Sequence, residues 1–312
     1  KTKLYRSGIA LSAIAALFIP IDCYIAFFTY TSMEAGWGNF WFWTSAICLI
    51  AYAFSTLRIQ SRFFGYLTGM AVGSLAMATI EVTRDFTHIS RDWFTASVSI
   101  TAAGLIMLAA QITRMKEAER WQVFAEPFRY LGLIVPGLLM PLTLVMRLTT
   151  RDTFDALHYA MTINWFIGGL VFGWGAVHHR SRSLGALAAI SLPIAVFMGQ
   201  AAFFHNMGIN PAWHAFGLAC LTPLYLYAGK NLLDVKDEAI LRAHGRTATT
   251  WGAALMIVSA LYSLADLTSS TPAAASHAVL MFSATMASVL WKRPRYLSAA
   301  SFFSFTALTF VM

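Results

Sequence analysis

Apolar runs of about twenty residues repeat along the whole chain, separated by short polar clusters. A helix rises 1.5 Å per residue, so each run can cross a hydrocarbon layer about 30 Å thick. Strand-like alternation is missing from the runs, and the Gly, Pro and Asn clusters fall between them, where turns belong. Backbone groups in lipid must be bonded within their own segment, so the runs are expected to be helices. We count about eleven spans, near 8–30, 37–57, 63–82, 92–113, 129–147, 156–177, 184–204, 211–229, 248–266, 272–291 and 296–312. The expected fold is all-α: a polytopic membrane bundle of consecutive hairpins, forming a single transmembrane domain over residues 1–312.

No connection exceeds about seventeen residues, too short for an extramembrane catalytic domain within this window. The two longest, 114–129 and 230–246, mix apolar residues with both charge signs and predict short helices lying on the membrane interface. The chain begins at Lys1 and stops at Met312 inside an apolar run, the pattern of an excerpt from a longer protein.

Composition agrees with the runs. Apolar residues make up 58% of the 312 and charged residues 12%, with a mean hydropathy of +0.62. A soluble domain carries about a quarter charged residues. Charge also sets the expected orientation. With the N-terminus inside, eighteen Lys and Arg fall on inner segments. Four, Arg84, Arg91, Arg147 and Arg151, fall on outer ones. That asymmetry predicts a cytoplasmic N-terminus. It also accounts for the net charge of +8 without nucleic acid. The expected home is a bacterial cytoplasmic (inner) membrane, with the lipid bilayer and other membrane subunits as partners.

Packing signals stand inside the runs. Gly65, Gly69 and Gly73 are spaced four apart, as are Gly169 and Gly173. Small residues at that spacing let helices approach closely. A weak repeat, RFFG (62–65), RYLG (129–132), RSLG (182–185) and RYLS (295–298), places an Arg and then a small residue near the start of outward-running helices. Pro136, Pro141, Pro193 and Pro223 mark points where a helix could break. Cys23, Cys48 and Cys220 all lie in apolar runs and suggest no disulfide framework.

The polar groups within the spans look lopsided. Asp22 falls about 12 Å below the outer end of the first span at helical rise. Asn164, Gln200, Glu81, Asp266, His158, His205, His214 and His277 crowd toward the same side. The inner halves hold hydroxyls and no carboxylate. Ionisable groups in lipid are functional candidates. These nine residues are therefore the expected ligand-binding layer. Haem or a metal could be held through His158, His205, His214 and His277, with ligands drawn from separate helices. No His-Glu-x-x-His, nucleophile elbow or other motif supports an enzyme.

The expected function is a multi-pass binding protein or complex subunit. It would hold a small or lipidic ligand, or a cofactor, in a cavity open to the outside. A secondary transporter and an outer-leaflet lipid-modifying enzyme are the alternatives. The stretch FFHNMGINPAWH (203–214) reads mainly as a turn. Gly208 suits the reversal, and Asn210-Pro211 caps the next helix.

Overall fold

The computed structural model describes residues 8, 10–11, 14–15, 18–23, 25, 36–115, 119–149, 156–235, 238–265 and 270–311. Among them there is no strand. Ten long helices follow the chain: α1 (Trp37–Ile59), α2 (Arg62–Thr87), α3 (Phe94–Arg114), α4 (Gln122–Thr149), α5 (Ala156–His178), α6 (Arg182–Met207), α7 (His214–Leu233), α8 (Ala239–Ala265), α9 (Ser270–Trp291) and α10 (Arg295–Val311). Residues 18–23 are helical too.

Eight helices among the described residues are long and apolar enough to cross a membrane. The side-chain distribution argues the same way. Many large apolar residues face outward, with Ile50 70% and Val289 72% exposed, while the interior mixes Ala, Ser and Thr with bulkier residues such as Phe64, Met161 and Leu280. In water such a surface would aggregate; in lipid it is solvated, and small residues let the helices pack. The chain is therefore an all-helical integral membrane protein.

Its contacts form two compact units, residues 1–149 and 150–312. In the first, α2 lies against α1, α3 and α4. Leu105, Ile112, Phe124, Phe128 and Leu131 form a core between α3 and α4. Hydroxyls stitch α1 to α2: Thr56 and Thr68 lie 3.2 Å apart, and Trp41 Nε1 donates to Ser74 Oγ at 2.9 Å. In the second unit, α5 pairs with α6, α7 with α8, and α9 with α10, while α7 also packs on α9.

Three sequence expectations change. The links 114–129 and 230–246 do not make separate interfacial helices among the described residues. Instead α4 starts at Gln122, whose side-chain amide caps the Ile112 carbonyl at 2.8 Å, and α8 starts at Ala239. Pro136, Pro141, Pro193 and Pro223 lie inside continuous helices. Lipid offers the freed carbonyls no water, so the rest of the ladder holds the helix together. Finally, Arg62, Arg182 and Arg295 each begin a helix, but Arg129 lies inside α4.

The glycines make intimate contacts. Gly65 approaches Pro127 (2.8 Å from a Cβ position to Cγ), and Gly69 lies against Leu131, so both press on α4. Gly73 is looser, with Val98 at 4.0 Å, while Gly169 and Gly173 face Ser191 and Ala188 of α6. At the 203–214 turn, Gly208 takes φ +64°, and Ile209 N donates back to the Phe204 carbonyl at 2.8 Å, closing α6. Asn210 Oδ1 accepts from Ala212 N at 2.8 Å, with Pro211 opening the next turn.

Candidate functional site

Each expected site residue has a distinct surrounding. In the first unit, Asp22 is exposed on its helix. Glu81, on α2, is sequestered. Its carboxylate accepts from Arg91 Nε at 2.8 Å and from the other Arg91 nitrogen at 2.5 Å, with Arg84 at 3.4 Å. Its Cγ also sits where a Cβ on Gly38 of α1 would be crowded (3.2 Å). Glu81 thus fastens the end of α2 to the segment before α3 and to the start of α1, with its charge already answered.

In the second unit, His158 and Asn164 are buried on α5. Gln200 of α6 and His214 of α7 meet at one helix interface. The Gln200 amide lies over Gly217, one turn beyond His214, and the His214 ring packs against Phe197 and Phe204, which flank Gln200 on α6. Tyr262 of α8 closes a further side, its ring centroid 6.2 Å away. Gln200 Oε1 and His214 Nδ1 are buried without a hydrogen-bond partner among the described residues.

His277, on α9, is instead fully engaged. Ser263 Oγ lies 2.9 Å from Nε2 and Thr306 Oγ1 2.5 Å from Nδ1, joining α8, α9 and α10. Ser263 also reaches the Ala260 carbonyl at 2.8 Å. Thr306 reaches carbonyls of its own helix in the same way, Phe302 and Phe303 at 3.1 Å, so the tautomer of His277 decides which hydroxyl donates to the ring and which accepts from it. Ser263 and His277 are at nucleophile–base distance, but both are buried inside the helix packing, where no substrate reaches them. The group is an interhelical clasp.

His205 is exposed at the end of α6. Asp266 lies outside the described residues. No three His, Cys, Asp or Glu side chains among the described residues form a metal-binding group. The haem or metal reading through His158, His205, His214 and His277 therefore gains no geometric support.

None of these residues lines the cavity that α5, α6, α7 and α8 enclose at the opposite end of the second unit. That cavity measures about 530 Å³. Small residues make up part of its lining: Gly169, Gly173, Gly185 and Ala188. Leu170, Val177 and Leu224 stand on its wall and are themselves exposed, Leu224 by 63%. The mouth therefore opens sideways through an apolar surface rather than through a polar helix end. The polar side chains on the wall are Trp174, Tyr225 and His244. Tyr225 donates to the Ala189 carbonyl at 2.6 Å.

His244 escaped the sequence reading because 230–246 was expected to be a link outside the spans. The structure puts it in the second turn of α8, 9% exposed, with neither ring nitrogen meeting a hydrogen-bond partner among the described residues. The end of the unit that carries Arg182 and Arg246 is therefore not limited to hydroxyls. Gly185 makes the ring's position possible, since a Cβ there would collide with His244 Nδ1. The usable signal was the pair of small residues beside it on the same helix, Gly245 and Gly252. Two smaller cavities, about 280 and 210 Å³, carry no such unpartnered buried polar group on their walls.

No protein-family model, curated protein or solved structure matches the chain.

Proposed function

We propose that this is a multi-pass membrane binding protein, or a subunit of a membrane complex, whose C-terminal unit takes a lipid-soluble molecule from the hydrocarbon phase. The observation that carries this reading is the apolar cavity of about 530 Å³ with exposed apolar residues at its mouth. A site with that lining and that entrance suits a molecule already dissolved in the bilayer. The expected outward-opening site moves accordingly. The cavity lies toward the end of the unit that carries Arg180, Arg182, Arg242 and Arg246. With the N-terminus inside a bacterial cytoplasmic membrane, as the charge asymmetry supports, that end is cytoplasmic.

Transport has less support. Transporter sites are typically built on discontinuous helices near the midplane, and the prolines here interrupt no described helix.

The test is occupancy. A Cβ on Gly173 would sit 3.8 Å from Ala188 Cβ, so the position accepts a side chain, and a larger one must extend into the cavity. Native mass spectrometry of purified protein should show an apolar small molecule on the wild type that Gly173→Leu lacks, at similar thermal stability. Identical bound species on both proteins would remove the proposal.

A further inference from the structure

We infer that His244 is the polar anchor of this cavity, and that the molecule it takes is uncharged, with a hydrogen-bonding carbonyl or hydroxyl on an apolar body. The inference rests on the cavity being a binding site.

Three observations converge on it. First, His244 is a polar side chain more than nine-tenths buried at the cavity wall, with both nitrogens unpartnered among the described residues. A buried polar group without a partner is destabilising, so a ligand that supplies one gains what the protein forgoes. Second, Tyr225, the other strong hydrogen-bonding side chain on the wall, already spends its proton on the Ala189 carbonyl. Third, no Lys, Arg, Asp or Glu lines the cavity. A carboxylate or phosphate drawn inside would leave water without a counter-charge, which excludes an anionic head.

In its neutral form an imidazole offers one donor and one acceptor, which suits either a carbonyl or a hydroxyl. Both nitrogens are buried, and the Nδ1 edge of the ring rests over Gly185. Binding therefore turns the ring from Gly185 toward the cavity, and the ligand takes the place of the glycine as its neighbour.

Two probes of nearly the same outline separate anchoring from packing: tritiated 9,10-anthraquinone, with two carbonyls, and tritiated anthracene, with none. Binding to the full chain in detergent is measured by scintillation proximity, with Gly173→Leu as the background. Wild type should prefer anthraquinone. His244→Leu should weaken anthraquinone about tenfold and leave anthracene unchanged. His244→Asn, which keeps a donor and an acceptor, should retain part of the preference. An undiminished preference in His244→Leu, an equal loss of both probes, or an Asn variant no better than Leu would each overturn the anchor. If neither probe binds wild type above background, the binding-site reading itself fails.

Discussion

At the scale of residues, His244 and Gly185 form a coupled pair. The imidazole occupies the space that any side chain at position 185 would need. Gly185→Ala must therefore push the ring into the cavity or separate α6 from α8, and overpacking of this kind typically destabilises by about 1–3 kcal/mol. In a His244→Ala background the obstacle is gone, and Gly185→Ala should be close to neutral. The double-mutant cycle, read by unfolding in detergent, should give a coupling of about 1 kcal/mol or more. Additive effects would show that the two residues do not share that space. His277 illustrates the contrast. With Ser263 and Thr306 on its two nitrogens it is satisfied, whereas His244 is not. In the sequence His277 stood out because it fell within a span, whereas His244 lay in a stretch that read as a link and was passed over. Hydrogen-bond satisfaction depends on partners from other helices, and spacing within one helix carries no record of them.

At the scale of elements, α7 crosses α8 in the second unit with backbone against backbone. A Cβ on Gly245 would stand 2.8 Å from the Gly229 carbonyl oxygen and 2.8 Å from the Leu233 nitrogen. Neither atom can swing aside as a side chain can. Gly245→Ala should therefore force the helices apart and destabilise the protein by about 1–3 kcal/mol. Gly73→Ala should be neutral or slightly stabilising, because Val98 is 4.0 Å away and alanine favours a helix. Equal effects in a thermal unfolding series would contradict this ranking. The regular Gly65–Gly69–Gly73 spacing was conspicuous in the sequence, yet Gly132 and Gly185 are more tightly engaged than any of the three. The weak Arg-anchored repeat pointed at both: its final residue is Gly132 against Ile106 in one copy and Gly185 against His244 in another.

At the scale of the whole molecule, the Lys and Arg distribution predicts how the chain is threaded. Single cysteines placed in a background lacking Cys23, Cys48 and Cys220 give a direct reading. Ile209→Cys, in the turn after α6, should react with an impermeant maleimide on intact cells. Ser181→Cys, in the turn before α6, should react after the membrane is opened. The opposite pattern would reverse the proposed orientation. The division into two units at residue 149 had no counterpart in hydropathy, which runs at much the same level through both.

What the sequence by itself determined was the helices and the kind of solvent around them. Length and apolarity are selected by the bilayer one segment at a time, and an exposed turn such as Gly208-Ile209-Asn210-Pro211 uses local chemistry that four letters state in full. Which face of each helix turns inward was left to the tertiary structure. Lipid tails are as apolar as leucine, so an outward-facing side can be as hydrophobic as an inward-facing one and no polar stripe marks the core. Contact therefore rests on small residues and single polar groups, whose meaning depends on what lies opposite. That is why Glu81, prominent in the sequence, has its charge answered by Arg91. It is also why His244, in a stretch that read as a charged link, stands in the wall of an apolar cavity.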